Sequence, residues 1–207
     1  YCGYLADLRE DNKRYGLAVD IGTTTVAVSL MDLATGQCVG EDGFLNPQKA
    51  FGLDVLSRIH YDATCPDGVL AMQDSIAQRL GQSARDLAGA ISTGTADIYE
   101  VVVSGNATML HVFLGIPLAT LGRAPYSSVF THSVTVKAAD LGLHLNEEAM
   151  VYCLPFVSTY IGGDIVAGAL AARLDEAADT ALLIDIGTNG EMVLCRCGRM
   201  HACSCAA

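Results

Sequence analysis

Apolar and polar residues along this chain alternate with two periods, about two in some blocks and about 3.6 in others, so strands and helices take turns. Residues 17–28 read as an apolar strand, a polar turn and a second apolar strand, with Asp20, Thr23, Thr24 and Thr25 in the turn. Thr35-Gly36 turns the chain again, and a third strand follows through Cys38 and Val39 until Asn46-Pro47 ends it. Phe51, Val55, Leu56 and Ile59 then fall on one face of a helix. Pro66-Asp67-Gly68 starts another, in which Val69, Met72, Ile76 and Leu80 keep helical spacing. Gly81 is expected to interrupt it before it resumes through Leu87.

The β-branched run at 98–103 is the expected central strand of the middle of the chain. It ends in Ser104-Gly105-Asn106, and Asn106 suits the N-cap of a short helix through Met109, Leu110 and Phe113. Residues 122–154 are the least regular; strands are expected near 129–136 and 150–154, within what reads as a surface elaboration. From Gly163-Asp164 a helix of small residues runs to about Leu174, and its Ala/Gly face permits close packing on another backbone.

Residues 182–194 then repeat the opening strand-turn-strand pattern. Asp-Ile-Gly-Thr occurs at Asp20 to Thr23 and again at Asp185 to Thr188, and Leu17 with Leu182 and Val28 with Val193 recur at the same offset. Internal duplication is the simplest reading.

Composition narrows the field. With 51% hydrophobic and 17% charged residues, 207 residues can bury a substantial core. The formal charge of −11 repels nucleic acid and anionic membrane surfaces, which argues against both as partners. An acidic chain still binds a polyphosphate where backbone N–H groups and a divalent cation act at short range. No run approaches the roughly 20 apolar residues that cross a bilayer and no signal peptide opens the chain, so a cytoplasmic location is expected. Tyr1 in place of Met reads as a piece of a longer protein.

A strand ending in Asp and turning through Gly-Thr-Thr brings a carboxylate, an unobstructed backbone and hydroxyl or amide donors to one point. Gly22 permits the turn, Thr23, Thr24 and Thr25 offer donors to phosphate oxygens, and Asp20 can hold Mg²⁺ through water. In the second copy Asp185, Gly187, Thr188, Asn189 and Gly190 take these places. A single such motif is more often an Asx turn in a hairpin; two with matching flanks favour phosphate binding. Asp164 could orient an attacking water or simply cap its helix, and Asn106 has the same two roles open to it, with Glu191 as a further supporting group.

These residues resemble the superfamily of acetate and sugar kinases, heat-shock ATPase chaperones and actin. There the first Asp-x-Gly turn, an acidic or amide residue heading a small-residue helix, and the second Asp-x-Gly turn are phosphate 1, connect 1 and phosphate 2. They match residues 20–25, Asp164 with its helix, and residues 185–190. The resemblance implies an α/β fold: a ribonuclease H-like, actin-like ATPase lobe with a mixed central sheet flanked by helices, plus the start of a second lobe. The division it suggests is a linker at 1–15, the first lobe at 16–178, and the first hairpin of the second lobe at 179–207. The superfamily's adenosine-binding turn lies beyond phosphate 2, so this chain alone is expected to be inactive.

The wording within the superfamily is more specific. Residues 19–26, Asn46-Pro47-Gln48 with Gly52 and Asp54-Val55, residues 105–109 and residues 185–191 look like the reductive activators of corrinoid proteins. That resemblance implies ATP and Mg²⁺ as cofactors, an iron-sulfur cluster in the parent chain but not in this segment, and ATP-driven reduction of Co(II) to Co(I). The implied partner is a corrinoid iron-sulfur or methyltransferase corrinoid protein. Asp20, Asp164 and Asp185 become the catalytic set, with Asp20 and Asp185 around Mg²⁺. A small-molecule kinase of the same fold and a dimerisation or docking scaffold for the corrinoid partner are the alternatives, and exposed strand edges near the end of the chain open a route to a homodimer.

The cysteines carry less. Cys195, Cys197, Cys203 and Cys205 form two Cys-x-Cys pairs, but strand residues two apart are separated by about 6.6 Å. Two sulfurs on one zinc can be no more than about 4.6 Å apart, so buried strand thiols are the expectation. The five histidines are dispersed, without ligand spacing. Elemental analysis of the purified chain should find neither zinc nor iron, and a stoichiometric metal would overturn that reading.

Overall fold

A computed structural model describes residues 13–187 and 189–206. Strands Tyr15–Ile21 (β1), Thr25–Asp32 (β2), Cys38–Leu45 (β3), Ile98–Gly105 (β4), Val134–Lys137 (β5) and Met150–Cys153 (β6) form one mixed sheet in the order β3-β2-β1-β4-β6-β5. The first three make an antiparallel meander, β1, β4 and β6 run parallel, and β5 closes the edge antiparallel to β6. Helices Val55–Thr64 (α1), Gly68–Ala90 (α2) and Ala107–Phe113 (α3) lie between the strands in sequence. Period-two burial gives the sheet one apolar face. Leu17, Val19 and Ile21 of β1, Val26, Val28 and Leu30 of β2, and Val101 and Val103 of β4 join Ile76, Leu80 and Ala84 of α2 and Leu110 and Phe113 of α3 in the main core.

Three parts of the main sheet and its helices differ from the sequence expectation. The second helix is continuous through Gly81, because Val69, Met72, Ile76, Leu80, Ala84 and Leu87 stay buried in one phase across it. That burial outweighs the roughly 1 kcal/mol that an interior glycine costs. The first helix begins only at Val55, where Asp54 accepts from the Ser57 amide at 2.7 Å and Ser57 Oγ accepts from the Asp54 amide at 3.1 Å. Phe51 therefore precedes the helix and packs on Tyr61, while Leu56, expected on the packed face, is 75% exposed.

The third difference is residues 122–154, which are not a surface elaboration. They supply β5 and β6 to the main sheet, and Phe130, Leu141, Leu143, Ala149, Val151 and Cys153 to its core. Buried His111 anchors their start. Its Nδ1 lies 2.6 Å from the Ala107 carbonyl, its Nε2 accepts from the Val129 amide at 3.2 Å, and its ring stacks on Phe130.

The helix Gly163–Ala171 (α4) leads to a second, antiparallel sheet of Ala181–Ile186 (β7), Asn189–Arg196 (β8) and Arg199–Ala206 (β9). It stops short of Leu174 because the chain reverses at Arg173, whose φ is +50°. The hairpins are not superposable repeats. The pair Ile21↔Val26 encloses residues 22–25, whereas Ile186↔Gly190 encloses residues 187–189, one fewer. A one-residue change in register moves a side chain to the other face. Val28 accordingly shares a face with Leu17 and Val19, while Val193 pairs with Leu183 and lies on the opposite face from Leu182. Of the late thiols only Cys195 is buried, donating to the Leu174 carbonyl; Cys197, Cys203 and Cys205 are exposed, against expectation.

Burial lowers the His111 pKa below its ordinary 6.5, against the smaller effect of the Ala107 carbonyl. The unfolded chain therefore takes up this proton first, and the stability that neutral His111 contributes is full above about pH 6.5 and is lost as pH falls. Urea denaturation between about pH 7.5 and 5 should show that decline, and His111→Gln, neutral throughout, should flatten it.

Candidate functional site

The carboxyl ends of parallel strands β1 and β4 open on a cleft of about 300 Å³ whose far wall is the β7–β8 hairpin. Ligands of open α/β sheets bind at such strand ends. Asp20, Gly22, Thr23, Thr24, Thr25, Asn106, Asp164, Asp185, Gly187, Asn189 and Glu191 line it. The structure thus brings together almost every residue singled out from sequence. Gly190 lies on β8 outside that lining, and Thr188 lies outside the described residues.

Each acidic group is set by a different element. Asp20 ends β1 and accepts from Ser104 Oγ at 2.8 Å, its cross-strand partner on β4. Asp164 stands in the first turn of α4, where its Oδ1 accepts from the Ile165 amide at 2.8 Å. Asp185 pairs directly opposite Glu191 across the hairpin, and Glu191 accepts from Ser204 Oγ at 3.1 Å. Like charges directly opposite on a sheet are destabilising without a counter-ion. Asn106 takes the capping role and also braces the first turn. Its Oδ1 caps α3 by accepting from Met109 N at 3.0 Å, while its Nδ2 donates to Thr23 Oγ1 at 3.1 Å. The start of α4 presses on this residue so closely that a Cβ at Gly162 would lie 2.5 Å from Asn106 Cα.

The first turn is held from behind by residues to which sequence reasoning gave no part in the site. Asn46 Nδ2 donates to the Gly22 carbonyl at 2.8 Å, Arg58 Nη2 to the Thr23 carbonyl at 2.6 Å, and the Asn46 amide to the Thr24 carbonyl at 2.9 Å. In a trans peptide C=O and N–H point in opposite directions. The N–H groups of Thr23, Thr24 and Thr25 are therefore turned away from this buttress. Gly22 is required here, since a Cβ on it would meet the Thr25 carbonyl at 2.6 Å. The one sequence signal for the buttress is Asn46-Pro47-Gln48, a polar triplet closing a strand. Asn46 and Gln48 are buried, and Asn46 Oδ1 accepts from the Gln48 amide at 2.9 Å.

Among the described residues no lysine or arginine lines the cleft, and its charged lining groups are carboxylates. Burial, followed by the charges of Asp20, Glu191 and Asp185, raises Asp164 to about 6 against the opposing Ile165 amide. Burial and Asp185 also raise Glu191, against the Ser204 hydroxyl. This donor set suits a hard divalent cation with anionic oxygens beside it. Among the described residues no three carboxylates, thiols or imidazoles are grouped closely enough to ligate one ion directly. Among the described residues no helix is long and apolar enough to cross a membrane.

Fold and site together define a lobe of the actin-like, ribonuclease H-like class, with an acidic cleft at the strand ends. Residues 15–177 match the RACo middle region, and residues 179–207 match the C-terminal domain of RACo, the ASKHA domain. The chain belongs to the RACo family. It is 34% identical over 192 residues to the corrinoid activation enzyme RamQ of Eubacterium limosum, covering 93% of this chain and 32% of that protein. A solved reductive activator for corrinoid, iron-sulfur protein superposes with a TM-score of 0.92 at 38% identity, covering 96% of this chain and 32% of that one. The chain thus spans about a third of the length of both relatives.

The raised carboxyl of Asp164 sets a stability test. An unfolded aspartate ionises near 3.8 and this folded one near 6, so the native state is penalised as pH rises through that window and fully penalised above it. Asp164→Asn should stabilise the unliganded protein by about 1–3 kcal/mol at about pH 7.5, with most of the gain gone by about pH 4 and the rest by about pH 3. Equal denaturation midpoints at both pH values would contradict the assigned environment.

Proposed function

We propose that this chain forms the phosphate-binding cleft of an ATP-dependent reductive activator of corrinoid proteins. In it, MgATP binding and hydrolysis are coupled to reduction of a partner's Co(II) to Co(I). The observation that carries the reading is the meeting of Asp20, Asp164 and Asp185 with the buttressed turn at one cleft, in a chain of the RACo family. In this reading the N–H and hydroxyl groups of Thr23, Thr24 and Thr25, with Gly22 admitting close approach, hold the terminal phosphates. Gly187, Thr188, Asn189 and Gly190 serve the second turn.

Asp20 and Asp185 would hold Mg²⁺ through water, and the ion, when bound, would neutralise phosphate charge. Asp164 orients the attacking water. A carboxyl with a pKa of about 6 is ionised at neutral pH and still basic enough to take a proton from it. Asn106 and Glu191 fix these groups in place. The iron-sulfur chemistry and the electron donor would belong to parts of the protein other than this segment. A cytoplasmic corrinoid protein is the proposed partner, and dimerisation through exposed strand edges stays part of the proposal.

One observation favours a kinase as the second reading. A neighbouring cavity of about 360 Å³ shares Asn106, Asn189 and Glu191 with the cleft, and is walled by Ile59, Leu121, Tyr126 and Tyr160. Such a space could admit a phosphoryl acceptor.

The deciding measurement is the visible spectrum of a Co(II) corrinoid protein with the complete gene product and a low-potential reductant, with and without MgATP. Co(I) should appear only with MgATP, and Asp20→Ala should abolish both its appearance and ATP hydrolysis. Asp164→Asn should lower kcat for hydrolysis by about 10²–10⁴ with a smaller change in KM. ADP release stimulated by a sugar or short carboxylate, with no change in the cobalt spectrum, would transfer the assignment to the kinase reading.

A further inference from the structure

Arg58 is fully buried at the base of the first turn, and among the described residues it forms no ion pair. Its hydrogen-bond partners among the described residues are all neutral. Nη2 donates to the Thr23 carbonyl at 2.6 Å, Nε to the Gly52 carbonyl at 3.0 Å, and Nη1 to Gln48 Oε1 at 3.3 Å and Met109 Sδ at 2.9 Å. The carboxylate charge that acts on it, Asp54, is exposed and already engaged by Ser57. A buried cation without a counter-charge is costly, and protein interiors seldom keep one unless something compensates it. Burial pulls this guanidinium down to about 10, which leaves it cationic throughout the neutral range.

Its placement shows where the compensation can come from. The guanidinium grips the carbonyl of a peptide whose N–H faces the other way, at a turn that lines the cleft. A cation on the carbonyl side polarises that peptide and makes its N–H a stronger donor to an anion. We propose that Arg58 is the positioning residue of the first phosphate turn, and that the phosphates of the bound nucleotide supply the counter-charge its buried guanidinium lacks. The inference rests on the nucleotide reading above and adds a residue outside the cleft lining to it.

Gln48 provides the discriminating variant. Its Oε1 accepts from Arg58, while its buried Nε2 has no hydrogen-bond partner among the described residues. Gln48→Glu is isosteric, removes that orphan donor, and places a permanent carboxylate on the guanidinium. If Arg58 only braces the fold, the internal ion pair raises the melting temperature and leaves nucleotide affinity unchanged. If Arg58 serves the phosphates, the same variant is more stable without ligand yet binds MgATP about 10- to 100-fold more weakly, the range expected for losing a charge-assisted contact. Arg58→Met should weaken binding to a similar degree, with Arg58→Lys in between.

The experiment is calorimetric titration of the complete gene product and these variants with MgATP, beside thermal melts without ligand. Gln48→Glu keeps the guanidinium fork and settles the matter even where Arg58→Met does not fold. A Gln48→Glu protein that binds MgATP within about twofold of wild type overturns the role of Arg58 alone, 1.4 kcal/mol being a factor of ten. Wild type that binds no MgATP overturns the nucleotide reading and this inference with it.

Discussion

Four carboxylates facing one cleft, with no basic side chain among the described residues of its walls, is the constraint on which the rest of the site turns. Asp20, Asp164, Asp185 and Glu191 come from β1, α4, β7 and β8, and Asp20, Asp164 and Glu191 are met by the neutral donors Ser104, the Ile165 amide and Ser204. Neutral donors orient a carboxylate without cancelling its charge, so the repulsion persists until a cation enters. Burial is the main reason the Asp164 pKa is raised, and that repulsion adds a smaller share. A ligand that brings its own divalent ion and also touches both turns would favour their close approach only by its greater affinity for that arrangement.

The scaffold answers the same constraint from the other side. Three consecutive carbonyls at residues 22–24 are tied to Asn46 and Arg58, which fixes the turn before any ligand arrives. Preorganised backbone donors need no reorganisation to bind an anion. The register Asp20↔Ser104 puts the first carboxylate at a strand end, and the contact between Gly162 and Asn106 brings α4, with Asp164, to the same place. Sheet register, glycine contacts and a buried guanidinium thus converge on a few residues at the end of β1.

The two hairpins show how far duplication in sequence departs from duplication in structure. In the first, Leu17, Val19 and Ile21 are 4%, 3% and 0% exposed beneath α2; their counterparts Leu182, Ile184 and Ile186 are 55%, 53% and 89% exposed. The tighter second turn then sets Val193 on the face of Leu183, against α4. Asp20 and Asp185 still reach one cleft, because each sits at the end of its strand, where a change in the partner strand's register does not move it.

The sequence by itself determined the elements whose information is local. Alternation and β-branched residues marked the strands, Asn106 marked its helix start, and the doubled Asp-Ile-Gly-Thr marked the two turns and both carboxylates. Gly81 misled because a glycine's helix penalty is local, whereas the stripe that overrides it extends over the whole helix. Strands were expected within 122–154, but their place in the main sheet was not, because it comes from β6 pairing with β4 and β5 with β6. Only the tertiary structure decided that Arg58 is buried rather than solvated and that Gln48 and Asn46 stand behind the phosphate turn. It alone set Asp164 among three other carboxylates. Those facts depend on which distant segments meet, and a charge's solvation and pKa are properties of that meeting rather than of the residue.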